Sequence, residues 1–161
     1  MTGHVAQKFR TARFALCCRP IPGDSIVGYL GHGEGLVVHT DECGVGQRLR
    51  HRDSERFFAV EWAEEPVRTF ETGVVITVRN DKGVLARVAT TLAEAEADIT
   101  HVEMADETPQ DSTDLRFVIA VRDRAHLDAV LRAVKRTPSV LAANRVVPAP
   151  YSVDPTTPGG G

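Results

Sequence analysis

The chain has no apolar run long enough to cross a membrane. Its opening residues, MTGHVAQKFRTARF, contain neither an apolar core nor a small-residue cleavage site, which argues against a secretory leader. Cysteine is scarce, with three residues, and tryptophan occurs once. An odd number of thiols without a leader argues against a disulfide framework. In a reducing cytoplasm, thiols grouped with a histidine favour a metal or redox role. Neither sign of charge dominates: the formal net charge is −3 over 161 residues, which argues against a generic nucleic-acid coat. With 42% hydrophobic and 25% charged residues, the composition is that of a cytoplasmic globular chain with no membrane partner.

Catalytic patterns are also wanting. HRD at His51–Asp53 stands in a polar stretch without the partner motifs that hydrolase or kinase chemistry needs. GHGEG at Gly31–Gly35 precedes an expected strand and not a helix, so it is no dinucleotide loop. Nothing in the sequence supports a Ser-His-Asp triad, which is defined by geometry.

Charge is unevenly placed. Residues 1–62 hold 8 Lys+Arg against 7 Asp+Glu, whereas residues 63–161 hold 11 against 15. The change coincides with Glu64, Glu65 and Pro66, a connector in which proline ends regular structure and the acids keep the segment wet.

The second part carries the clearer fold signal. TGVVITVRN, Thr72–Asn80, is a β-branched run that predicts a strand. Asp81 is placed to cap a helix over Val84–Ala97, where Val84, Leu85, Val88 and Leu92 recur at helical spacing. DITHVEMAD predicts a second strand with Thr100, Val102 and Met104 on one face. In DLRFVIAV, Leu115, Phe117, Ile119 and Val121 alternate onto one face. RAHLDAVLRAVKRTP sets Leu127, Val130, Leu131 and Val134 on a helical stripe that Pro138 ends, and SVLAANRVV supplies a last strand. Strand, helix, strand, strand, helix, strand, with two one-sided helices, predicts an α+β ferredoxin-like sandwich at residues 69–147. Its sheet edges invite pairing with a second copy.

The first part, residues 1–63, predicts a small β-rich module. RFALCC, SIVGYL, GLVVH and RFFAVEW read as strands, separated by RPIPGD and GHGEG turns. About sixty residues make a thin core, and domains of that size often lean on a metal or a partner. Cys17 and Cys18 close the first strand, His39 closes the third, and Cys43 follows four residues later. Thiolate and imidazole together suit Zn²⁺, although both adjacent cysteines can ligate only if the chain bends at Pro20. The alternative is one buried thiol packed as a small hydrophobe and one on the surface. The tail PAPYSVDPTTPGGG, residues 148–161, has the composition of a disordered segment.

FALCCRPIPGDSIVGYLGHGEGLVVHTDEC resembles the zinc-finger-like module of the long RelA/SpoT-type enzymes, which make and hydrolyse guanosine tetra- and pentaphosphate. NDKGVLARVATTLAEAEADI and RDRAHLDAVLRAVKRTPSVLAANRV resemble the terminal ACT domain of the same family, and RDRAHL is closest to its bifunctional branch. The resemblance implies that Cys17, Cys18, His39 and Cys43 hold a structural Zn²⁺. It also implies that the chain is a regulatory portion without catalytic residues, acting by binding on its own catalytic domains or on a parent enzyme in trans. Three departures stand out: Glu42 where Asp is usual before the last cysteine, Glu34 where Lys or Arg is common, and GVG after Cys43 where Asn and the start of a helix are usual.

The family resemblance further implies docking on ribosomal RNA. The basic residues available for it are Arg48, Arg50, Arg52 and Arg56, and a solvated loop is the competing reading. For the ACT part, a branched-chain amino acid is the expected ligand, held at Asn80, Asp81, Gly83, Val84 and Leu85, alongside a homodimer. Here a free helix start would receive a carboxylate, and Gly83 would admit close approach. Two other classes stay open at this point: a stand-alone amino-acid sensor using only the second part, and a redox sensor built on Cys17 and Cys18.

Overall fold

The computed structural model describes residues 12–63, 68–104 and 111–146. The connector at 64–67 and the tail from 147 on lie outside the described residues.

Among the described residues there are two four-stranded sheets. The first contains β1 (Arg13–Phe14), β2 (Ile26–Leu30), β3 (Leu36–Thr40) and β4 (Phe57–Ala59) in the order β1-β3-β2-β4. β1 runs parallel to β3, and the β2–β3 and β2–β4 pairs are antiparallel. Gly28 is in the middle of β2, where a Cβ would lie 2.8 Å from Val60 Cγ1 and 3.0 Å from Leu36 Cδ1. Leu36, Val38 and Val60 form the buried apolar patch that this close approach permits.

RFALCC is strand only at Arg13–Phe14, and Leu16–Cys18 turn. The bend is closed by the Arg19 N–H donating to the Ala15 carbonyl at 2.9 Å, with Arg19 in the left-handed region at φ 44°. A second difference is helix α1 (Gly44–Arg52), which the glycines of GVG hide in the sequence. Cys43 caps it, and Arg50, His51 and Arg52 fall in its last turn, where cations suit the helix dipole. The basic segment is therefore helical and not a loop.

The second sheet contains β5 (Phe70–Arg79), β6 (Asp98–Met104), β7 (Ser112–Val121) and β8 (Val140–Arg145), ordered β6-β7-β5-β8. All its pairings are antiparallel, and α2 (Val84–Glu94) and α3 (Arg124–Lys135) complete the βαββαβ order. The α+β, ferredoxin-like expectation holds. Phe70, Thr72, Val74, Ile76 and Val78 alternate onto the buried face of β5, opposite Leu115, Phe117, Ile119 and Val121. Val88, Leu92, Leu127, Val130 and Val134 of the two helices complete the core.

Three local expectations need correction. Asp81 does not cap α2: Gly83 is the N-cap, at φ 79°, and an Asp81 carboxylate oxygen instead accepts a hydrogen bond from the Ser139 hydroxyl. The helix ends at Glu94, short of Ala97, because Glu96 turns left-handed at φ 64°. In β6, the pairing shifts between Ile99 and His101. That irregularity takes Thr100 out of the apolar row and sets Ile99 with Val102 and Met104 opposite Ile119, Phe117 and Leu115.

The sheets pack against each other. Ile21, from the turn after the cysteine pair, is fully buried in the core of the second sheet, and Phe14 and Trp62 pack on its border. Phe14 stacks on Trp62 at 5.5 Å, and both meet Phe70 at 5.6 Å between ring centroids.

Candidate metal centre and interaction surfaces

The Leu16–Cys18 turn brings both adjacent cysteines to one side, where β3 supplies His39 and the entry to α1 supplies Cys43. One donor atom from each of Cys17, Cys18, His39 and Cys43 lies within 4.8 Å of the others. Cys17 Sγ is 4.0 Å from Cys18 Sγ, 3.5 Å from Cys43 Sγ and 3.5 Å from His39 Nδ1, and Cys18 Sγ is 3.9 Å from that nitrogen. A tetrahedron with Zn–S near 2.3 Å and Zn–N near 2.0 Å has edges of roughly 3.5 to 3.8 Å. Four of the six donor pairs are at 3.5–4.0 Å, close to those edges, and all lie within 4.8 Å, so the four residues could hold a metal ion.

The surroundings suit thiolates. The Thr40 N–H donates to Cys18 Sγ at 3.4 Å, and the Gly46 N–H donates to Cys43 Sγ at 3.5 Å. Cys43 is wholly buried, His39 and Cys18 nearly so, and Cys17 is exposed. Without a cation the thiols oppose one another. Burial, the Cys43 contact and the neighbouring sulfurs push Cys17 up to about 12. Burial raises Cys18 against the lowering effect of the Thr40 N–H, and burial lowers His39 from 6.5.

Sequence reasoning missed the residues that shape this centre. Gly46 packs its helix onto His39, where a Cβ would lie 3.3 Å from His39 Cβ. Arg19 supplies the left-handed turn after the cysteine pair. The glycines in GVG were the available signal: they allow the helix to approach His39 closely, while weakening helix propensity.

The basic residues do not form one free cluster. Arg56 donates from Nη1 to the carbonyls of Leu30 and Gly31, at 3.0 and 3.4 Å, so it is committed to the first sheet. The Arg50 guanidinium lies 5.9 Å from the Phe57 ring centroid. Arg48 and Arg52 are exposed on α1.

The five residues of the expected amino-acid site fall together at the β5–α2 junction, in differing surroundings. Val84 is buried in the core, whereas Leu85 is exposed, so the two do not line one pocket. The Asn80 N–H donates to the Asp111 carbonyl at 2.9 Å, and Asp81 is engaged by Ser139. Gly83 faces Arg87, whose Nη1 would lie 3.7 Å from an added Cβ.

The two halves of the chain match two family models. The RelA/SpoT RIS domain matches residues 8–63, and the ACT domain matches residues 66–145. The bifunctional (p)ppGpp synthase/hydrolase SpoT of Escherichia coli K12 is 32% identical over 133 residues, covering 82% of this chain and 18% of that protein. A GTP pyrophosphokinase of the same strain is 30% identical over 132 residues, with the same coverages. Among solved structures, the ACT domain from GTP pyrophosphokinase of Chlorobium tepidum aligns at 13% identity and TM-score 0.43, covering 49% of this chain and all of that one.

A RIS module followed by an ACT module defines a regulatory region of RelA/SpoT proteins. The chain belongs to the RelA/SpoT family, whose parent enzymes are synthetases and hydrolases. It spans 18% of the length of the curated relatives it matches.

Proposed function

We propose that this chain is the regulatory portion of a cytoplasmic guanosine tetra- and pentaphosphate synthetase/hydrolase, working by binding and not by catalysis. In this reading residues 1–63 and 69–147 are its two domains, and Cys17, Cys18, His39 and Cys43 hold one structural Zn²⁺. The observation that carries the metal reading is the convergence of the four donors within 4.8 Å of one another. Four protein ligands leave no open position for water, so the ion holds the fold and performs no reaction. Metal analysis of protein purified without added zinc checks this. The expected content is one zinc per chain, with a drop in thermal stability in chelator. Zinc near zero with unchanged stability overturns it.

The partners follow from the surfaces. Edge strand β6 leaves Ile99, Val102 and Met104 exposed at 38, 45 and 58%, which supports self-association through the second sheet. The exposed basic side of α1, with Arg48, Arg50 and Arg52, supports docking on ribosomal RNA, and Arg56 serves it only through the fold. Co-sedimentation with ribosomes should weaken steeply between 50 and 200 mM salt, as phosphate contacts do. No binding at the lower salt removes the RNA reading. Calorimetric titration with valine, leucine and isoleucine tests the amino-acid site at Asn80–Leu85, and heat equal to buffer removes it.

A further inference from the structure

The turn that follows the cysteine pair is clamped to the second sheet by the guanidinium of Arg145. Arg145, at the end of β8, grips Asp24 bidentately, Nη1 to Oδ1 at 2.6 Å and Nη2 to Oδ2 at 2.7 Å. The same Nη2 donates to the Arg19 carbonyl at 3.1 Å, and Nε donates to Thr72 Oγ1 at 3.2 Å. Asp24 is buried, and its side chain also accepts from the Ile21 N–H at 2.8 Å, while its carbonyl accepts from Trp62 Nε1 at 3.0 Å. Between these anchors, the Pro22 carbonyl accepts from the Arg124 N–H at the start of α3, at 2.8 Å. Gly23, at φ 102°, leaves only 2.9 Å between a Cβ and Arg124 Cβ.

Arg19 is the left-handed residue that follows the cysteine pair, and such a conformation persists only where the surroundings over-determine it. Arg145 is the group that holds its carbonyl. We propose that the Arg145–Asp24 clamp is a positioning device for the metal centre, so that metal capture by the first module and its docking on the second are one linked equilibrium. The inference rests on the metal reading above. Linkage is reciprocal: a clamp that preorganises the Cys17–Cys18 turn raises metal affinity, and bound metal must tighten the docked interface by the same factor. Glu71 also reaches Arg19, at 2.8 Å, but through exposed side chains that play no part in the clamp.

The test uses the full chain, reduced, and its R145K and D24N/R145Q variants. R145K keeps the charge and loses the fork. D24N/R145Q leaves no unpaired buried charge, so it reports even if R145K fails to fold. Zinc affinity is read by competition with a chromogenic chelator, the ligand set by the charge-transfer bands of the Co²⁺ form, and docking by hydrogen exchange at the Arg124 amide. Expected is an unchanged Co²⁺ spectrum with zinc affinity about tenfold weaker or more, the scale of lost outer-sphere support at metal sites. Metal should also slow exchange at Arg124 in the unaltered chain and not in the variants. Affinity and exchange equal to the unaltered chain, with the metal bound, overturn the clamp alone. No metal uptake by the unaltered chain overturns the metal reading, and the clamp with it.

Discussion

The two sheets have the same number of strands but differ in what fills them. The second has a continuous apolar core, in which Ile76, Leu92, Leu115, Ile119 and Leu127 are all at most 1% exposed. The first has a small patch of Leu36, Val38 and Val60, and its other buried cluster is Ala15, Cys18 and Cys43. Apolar burial holds the second sheet, at about 25 cal/mol per Å² removed from water. The first has too little of it, and puts three thiols and an imidazole where a larger domain would put leucines. On the proposed metal reading, this cluster of donors stands in for a core only while the cation is present.

The largest effect is expected from Cys43→Ser. Structural zinc contributes on the order of 10 kcal/mol or more to small metal modules. Losing a wholly buried ligand that also caps α1 should therefore abolish ordered structure in the first sheet, while the far-UV signal of the second persists. Leu92→Ala is the converse probe. It should cost about 2–5 kcal/mol in thermal unfolding, as buried leucines do, with metal content unchanged. Gly28→Ala should cost about 1–3 kcal/mol, because the new methyl must push Val60 and Leu36 apart.

Smaller and of definite sign is the pH dependence of metal capture. Thiol ligands must lose their protons to bind, so zinc affinity measured by chelator competition should fall as pH falls. An affinity independent of pH contradicts thiolate ligation. Glu71→Gln should be the smallest change, under about 1 kcal/mol, because its ion pair with Arg19 is solvent-exposed.

The second sheet was legible in the sequence because its periodicities are clean. Leu115 to Val121 alternate and Leu127 to Val134 recur at helical spacing, and those side chains are where the core is. The grouping of Cys17, Cys18, His39 and Cys43 was legible through the family resemblance, since their spacing alone matches no standard finger. Helix α1 was not, because Gly44 and Gly46 serve packing against His39 and disguise a helix. Nor was the clamp, because nothing local ties Asp24 to Arg145 across 121 residues. The β6 face was misread at Thr100 because an irregularity of one residue reverses alternation.

The central claim is that metal holds one sheet and apolar burial the other. Hydrogen exchange on the full chain, with and without chelator, tests it most directly by resolving β2 and β3 separately from β5 and β7. The account predicts that chelator removes protection from residues 26–40 while residues 70–79 and 112–121 keep theirs. Equal protection of both sheets in chelator, or loss from both together, would contradict it.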